Sequence, residues 1–227
     1  MPTLYSEQTV KYNESSNCKC ILYYRMDVEK VTKIDVESIS SLNIPELRFI
    51  TENSTVIGVR GRTLSAPKRR WVLPKMKAAG IETIIDLRAG DHSDNYPVVC
   101  EEVGLEYFHF PIDRSRTPDA IIIAKLPDFI RIISNGGFYI SCALGLHRTD
   151  IALSLYYLFN PKAQEPPVLY GQIKEDGTLK YDDIFQRVGS VYHYLTEDDK
   201  DRLGWDDSIN TEFVKRKKNL LEQQKRL

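Results

Sequence analysis

Apolar positions along the chain follow two rhythms: short, nearly continuous runs, and longer stretches in which they recur every third or fourth residue. The runs Ile81–Leu87 and Phe138-Tyr139-Ile140-Ser141 read as buried strands and Leu105–Phe110 as a further strand. Between them the helical rhythm prevails. One predicted helix opens at Ala66-Pro67 and ends at Gly80, a second runs from Tyr96 to Val103 and closes at Gly104, and a third runs from Pro118 to Ile133. A fourth, Thr149–Phe159, is stopped by Asn160-Pro161. Strands alternating with helices imply an α/β fold with a central, mostly parallel sheet and helices on both faces. In such sheets ligands bind at the carboxyl ends of the strands.

The flanks read less sharply. Tyr5 to Asn17 is polar, while Ile21-Leu22-Tyr23-Tyr24 and Leu47-Arg48-Phe49-Ile50 have the character of extra edge strands. Beyond the break at Glu165-Pro166-Pro167, Tyr181 to Leu195 is expected to be helical, with Ile184, Phe185, Val188, Val191, Tyr192 and Leu195 facing the core. After Trp205-Asp206-Asp207-Ser208 comes a basic helix, Thr211 to Leu227, whose apolar residues are Phe213, Val214, Leu220 and Leu221; a solvated terminal helix is the expectation, with a docking role as the alternative. The expected division is 1–52 as an N-terminal extension, 53–204 as the main domain and 205–227 as the C-terminal basic helix.

Candidate chemistry concentrates where the third predicted strand meets the fourth helix. Cys142 and Arg148 stand six positions apart, joined by Ala143-Leu144-Gly145-Leu146-His147, and Thr149 follows the arginine. A loop that wraps a helix N-terminus offers unpaired backbone N–H groups and a partial positive charge, which suit a tetrahedral oxyanion. Gly145 lets that loop bend tightly. The Arg148 guanidinium adds a planar fork able to grip two phosphate oxygens together. The same field favours a thiolate over a thiol, so Cys142 reads as a nucleophile. Thr149 supplies a hydroxyl positioned to donate to the sulfur, and His147 is expected to hold the loop by a hydrogen bond. An inert core cysteine at a strand end is the alternative reading of Cys142.

Displacing an alkoxide or phenoxide from phosphorus needs a proton donor, and the covalent intermediate then needs a base. Asp113 is the candidate for both, because it follows a predicted strand and opens the segment Arg114-Ser115-Arg116-Thr117. The next helix has its own start signal in Thr117-Pro118-Asp119, so capping does not require Asp113. Asp91, Asp94 and Asp119 are the rivals.

Three segments, in order, carry a family resemblance. Gly80-Ile81-Glu82-Thr83-Ile84-Ile85-Asp86-Leu87-Arg88, Gly104-Leu105-Glu106-Tyr107-Phe108-His109-Phe110-Pro111-Ile112-Asp113 and the Cys142–Thr149 loop together resemble the protein tyrosine phosphatase superfamily, in particular its compact dual-specificity-like branch, over roughly residues 55 to 160. The resemblance implies a metal-independent phosphatase without a cofactor, acting through a cysteinyl-phosphate. It implies Cys142 as nucleophile, Arg148 and the loop 143–147 as the phosphate cradle, and Asp113 as general acid. The His147-Arg148-Thr149 ending is also similar to atypical members that act on inositol pyrophosphates. Two positions depart from the family pattern: Ser141 stands where a histidine usually precedes the nucleophile, and Leu144 where many relatives carry a small or basic residue.

Composition narrows the partners. A net charge of −1 over 227 residues gives no global field for nucleic acid. Arg60, Arg62, Lys68, Arg69, Arg70, Arg114 and Arg116 form local basic clusters, read mainly as a solvated face and alternatively as a pocket mouth for an acidic substrate. Four cysteines, Cys18, Cys20, Cys100 and Cys142, show no metal-ligand spacing. Cys100 reads as a buried helix residue, with a protective disulfide to Cys142 conceivable if the fold brought them together. No signal peptide or membrane-spanning run is evident, so a cytoplasmic protein is expected. Three readings stand: a phosphatase of phosphotyrosine or dual-specificity type on proteins, the same chemistry on a small inositol polyphosphate or pyrophosphate, and a catalytically weak phosphate-binding module.

Overall fold

The strand that ends in Cys142 lies at the centre of the sheet, and its residues explain why. Phe138–Cys142 is buried along its whole length, as only a strand covered on both faces can be. The computed structural model describes residues 33–89, 95–113, 120–160, 162–163, 166–170, 191, 194–203, 214–219 and 222. In chain order it contains α1 Val36–Ser40, β1 Arg48–Glu52, β2 Thr55–Arg62, α2 Ala66–Ala78, β3 Thr83–Asp86, α3 Tyr96–Glu102, β4 Glu106–His109, α4 Ala120–Asn135, β5 Phe138–Cys142, α5 His147–Phe159 and a short acidic helix, α6, Glu197–Leu203.

The five strands form one sheet in the order β1-β2-β5-β3-β4. β2, β5, β3 and β4 run parallel, and β1 closes one edge antiparallel to β2. This is the mostly parallel α/β sheet expected from the alternation of elements. Side chains of β5 point alternately to two cores. Phe138, Ile140 and Cys142 pack with Leu126, Phe129 and Ile133 of α4 and with residues of α5. Tyr139 faces the opposite side, among α1, α2 and α3, with Val72, Met76 and Val99.

Cys100 belongs to this second side and Cys142 to the first, so the sheet separates them and both are free thiols. The conceivable disulfide is therefore ruled out by the alternation of a single strand. Burial pushes the Cys100 thiol up to about 12, which leaves it protonated and inert at neutral pH.

Most predicted elements stand within two residues of their expected limits. Three were not anticipated, α1, α6 and β2. The last reads Thr55-Val56-Ile57-Gly58-Val59-Arg60-Gly61-Arg62, and glycines and arginines break the apolar run that marks a buried strand. Tertiary packing supplies the reason for each. Phe138 on β5 occupies the space where a side chain at Gly58 would stand. Arg60 is inward-facing and ion-paired. A shift of register against β1, between Ile50 and Thr51, turns Ile57 toward the α4/α5 side while Val59 faces the other.

In the C-terminal basic helix, expected to be solvated, Val214, Lys215, Lys218, Asn219 and Glu222 are exposed, while Arg216 within the helical stretch 214–219 is buried. It donates to the Tyr157 and Asn160 carbonyls at 2.8 and 2.9 Å, at the C-terminal end of α5. A cation there complements the negative end of the helix dipole. Val191 and Leu195 are buried in the main core as their stripe predicted; Ile184, Phe185, Val188 and Tyr192 lie outside the described residues, as do Ile21–Tyr24, Cys18, Cys20, Phe213, Leu220 and Leu221. No described helix is long and apolar enough to cross a membrane.

Candidate active site

β5 ends at Cys142 and α5 begins at His147, so four residues, Ala143 to Leu146, make the whole connection. The helix starts two residues earlier than its apolar rhythm suggests, because His147 and Arg148 complete its first turn as polar residues. The Cys142 carbonyl anchors the loop twice, accepting from Thr63 N–H at 3.0 Å and from Gly145 N–H at 3.2 Å. Cys142 itself is 3% exposed. Ala143 and Leu144 are exposed, Gly145 is buried, and Leu146, His147 and Arg148 are half-buried. Among the described residues Arg148 has no hydrogen-bond or ion-pair partner, so its guanidinium remains available to an anion.

Gly145 has a positive φ of 74°, and a Cβ built there would lie 2.5 Å from the Gly61 carbonyl carbon and 2.7 Å from the Arg62 nitrogen. The loop thus rests directly on the backbone of β2. That support is itself held: Tyr139 Oη donates to the Arg62 carbonyl at 2.6 Å from the far side of the sheet. Gly145→Ala is expected to destabilise the fold by roughly 2–3 kcal/mol, from left-handed backbone strain plus an immovable backbone neighbour. Phosphatase activity should fall with it. A thermal melt and an activity assay on the purified variant check this, and wild-type values in both would refute the packing described here.

Arg60 is the residue that sequence reasoning placed wrongly. Counted there with a solvated basic cluster, it is 2% exposed and lies beneath the loop. Its Nη2 donates to Asp150 Oδ1 at 2.6 Å, to the Gly145 carbonyl at 3.1 Å and to the Leu146 carbonyl at 3.3 Å, and its Nη1 reaches the Val168 carbonyl at 3.3 Å. The Tyr170 ring stacks on the guanidinium with its centroid 5.1 Å away. Arg69 is likewise buried, donating to the Leu64 carbonyl at 3.0 Å and lying over the Tyr96 ring. Arg62, Lys68 and Arg70 are exposed as expected, whereas Arg114 and Arg116 lie outside the described residues.

On the other flank of Cys142, Asp86 at the end of β3 pairs with Ser141 in the ladder, and Leu87 N–H donates to the Ser141 carbonyl at 2.9 Å. The Asp86 carboxylate is fully buried and receives Arg88 Nη2 at 2.6 Å, Arg88 Nε at 2.9 Å and Tyr107 Oη at 2.9 Å. The Asp-Leu-Arg turn is therefore a closed ion pair that fixes the strand end. Ser141 and Thr149 are fully buried, and neither hydroxyl has a hydrogen-bond partner among the described residues. The expected bond from Thr149 to the Cys142 sulfur is accordingly not formed in this state.

Asp113 lies beyond β4, which is two strands from β5 on the same side of the sheet order. Backbone bonds from Phe110 to Asp86 and from Ile112 to Leu87 carry the chain along the end of β3 toward it. Asp113 is exposed and emerges at the carboxyl edge of the sheet, the edge that bears Cys142. Two strand spacings, about 10 Å, separate the two strands, a gap that a four-residue extension past the strand end can span. Asp91, Asp94 and Asp119 lie outside the described residues. Among the described residues no cluster of His, Cys, Asp and Glu could hold a metal ion.

Comparison with known proteins bears on this arrangement. Among solved structures, a protein of Shewanella putrefaciens CN-32 described as a candidate phosphatase matches with a TM-score of 0.50 at 13% identity, covering 71% of this chain and 99% of its own. Tk-PTP in its active form matches with a TM-score of 0.45 at 16% identity, over 66% of this chain and 99% of its own. The Yvh1 phosphatase domain from Chaetomium thermophilum gives 0.41 at 15% identity, over 65% and 95%. No curated protein matches at a significant level. The family model described as "DSP-PTPase phosphatase fused to NAD+ Kinase" matches residues 34–168. That span runs from the start of α1 through the strand that ends in Cys142, its loop and all of α5, and the chain is therefore a member of this family of dual-specificity-type protein tyrosine phosphatases.

Proposed function

We propose that the protein hydrolyses phosphate monoesters through a cysteinyl-phosphate intermediate on Cys142. The observation that carries this reading is one junction: a buried cysteine ends the central parallel strand, and after a four-residue loop a helix begins whose first turn presents an arginine with no partner among the described residues. Phosphate bound there lies against the helix N-terminus, with the Arg148 fork on its oxygens. The sulfur attacks phosphorus, the S–P bond forms, and the leaving oxygen takes its proton from Asp113. Water then attacks the phosphocysteine while the Asp113 carboxylate accepts a proton, and inorganic phosphate leaves. The buried Thr149 hydroxyl would donate to the sulfur as it becomes a leaving group; an unsatisfied buried hydroxyl costs roughly 1–3 kcal/mol and is retained where a transient partner completes it.

Phosphotyrosine, with or without phosphoserine and phosphothreonine in proteins, is the substrate class this reading favours. A second class has its own support. Exposed Arg62 and Lys68 border a hollow of about 180 Å³ lined otherwise by Thr63 and Ser65 and by the apolar Leu42, Ile44, Pro45, Leu64 and Val72, and Thr63 N–H is bonded to the Cys142 carbonyl. A further phosphate on a small polyanion such as an inositol polyphosphate would find two cations there. Release of phosphate from p-nitrophenyl phosphate in EDTA tests the chemistry, with phosphotyrosine peptides and inositol phosphates assayed in parallel for the substrate. EDTA-resistant release is expected. A folded protein inert toward all three would point instead to a phosphate-binding module.

Asp113→Asn separates the acid from the rest of the machinery. It should slow esters with poor leaving groups by about 10²–10⁴ and p-nitrophenyl phosphate far less, since a good leaving group needs little protonation. A leaving-group series of aryl phosphates measures this. Equal losses across the series would assign the acid to another residue.

A further inference from the structure

We infer that Arg60 and Asp150 form a positioning pair that aims the backbone of the phosphate-binding loop. The inference rests on the reading of residues 142–148 as that loop. Both side chains are buried: Arg60 is 2% exposed and Asp150 0%. One guanidinium nitrogen, Nη2, reaches the Gly145 and Leu146 carbonyls and the Asp150 carboxylate together.

A trans peptide is planar, so each C=O points opposite to the N–H of the residue that follows. None of the described peptide bonds is cis. Carbonyls of Gly145 and Leu146 drawn down to Arg60 therefore turn the N–H groups of Leu146 and His147 away from it, out of the protein core. Those are donors at the helix N-terminus, where an anion is held. Arg60 would act by orienting donors, and its own charge is spent on Asp150.

The pair also fixes where the loop sits along α5. Asp150 stands in the first turn of the helix, and its backbone N–H donates to the Leu146 carbonyl at 2.9 Å, the same oxygen that Arg60 holds. On its other side Arg60 binds the Val168 carbonyl and carries the Tyr170 ring. The loop is thus tied through one side chain to β2, to α5 and to the segment 166–170. A lysine at position 60 would deliver one point charge where the guanidinium delivers a fork.

A merely structural ion pair makes a different forecast, and the contrast supplies the test. Replacing a buried pair by apolar residues of similar volume is often neutral or stabilising, whereas removing one partner is costly. Arg60→Met with Asp150→Leu should therefore remain folded, with a melting temperature lowered only as far as the Gly145, Leu146 and Val168 carbonyls lose a donor. Its affinity for inorganic phosphate, measured by titration calorimetry, is expected to fall at least tenfold, because the two carbonyls lose their donor. Wild-type phosphate affinity in the folded double variant would overturn the inference. Should that variant not fold, Arg60→Lys decides: a melt close to wild type with weakened phosphate binding supports the positioning role, and unchanged binding refutes it. A wild-type protein that binds no phosphate overturns the reading of the loop itself, and this inference with it.

Discussion

Cys142→Ser is expected to lower phosphate release by about four orders of magnitude or more while inorganic phosphate still binds; such a loss corresponds to roughly 5.5 kcal/mol of transition-state stabilisation. The reasoning is chemical before it is structural. A serine hydroxyl is nearly isosteric with the thiol, so the tightly buried end of β5 and the loop above it keep their packing. What changes is the nucleophile, because an unassisted hydroxyl is almost entirely protonated and a thiol ionises far more readily. The backbone N–H groups and Arg148 remain in place, so binding survives. Turnover of p-nitrophenyl phosphate and titration of phosphate, made on one preparation, read the two halves separately. Retained turnover in the serine variant would remove Cys142 from the chemistry.

Arg148→Lys should cost about 10²–10³ in kcat/KM, a loss of the size produced by removing one preorganised charge-stabilising group. The charge is conserved and the geometry is not. A lysine ammonium is a point donor, whereas the guanidinium presents two parallel N–H groups to two oxygens. Arg148 is half-buried in the first turn of α5, and among the described residues it has no hydrogen-bond or ion-pair partner that the substitution would remove. The melting temperature should therefore stay close to wild type while phosphate affinity falls. Kinetics at fixed pH, with phosphate as competitive inhibitor, check both. Activity within threefold of wild type would show that position 148 does not grip the phosphoryl group.

The site was legible in the sequence where its chemistry is local. Cys142, Gly145, Arg148 and the start of α5 lie within a few residues, and apolar runs on both sides mark a strand and a helix. The same holds for the parallel sheet, since β3, β4 and β5 are short apolar runs between helices. What the sequence hid is non-local. β2 looks unlike a buried strand because two of its residues answer to distant partners: Gly58 makes room for Phe138, and Arg60 is neutralised by Asp150, ninety residues away. An arginine in a basic run reads as solvated until its partner is known. Asp150 looked like a polar residue early in a helix, with nothing local to show that its carboxylate faces a buried guanidinium. The burial of Arg216 was hidden for the same reason, because its acceptors are the end carbonyls of α5, about sixty residues before it in the chain.

These distant partners change what a sequence motif alone conveys. Cys142 and Arg148 carry the proposed chemistry, but the floor on which the loop rests is made by Gly61, Arg62 and Arg60 of a neighbouring strand. Substitutions on β2 are therefore expected to reach phosphate binding without touching substrate.

The most direct measurement is to quench the enzyme in alkaline denaturant during turnover of p-nitrophenyl phosphate and to map covalent phosphate by mass spectrometry of the chain digested at alkaline pH. A phosphoryl increment on the peptide carrying Cys142, absent in Cys142→Ser, is the expected result. Steady turnover with no such increment in wild type, or an increment on a different residue, would contradict the cysteinyl-phosphate pathway.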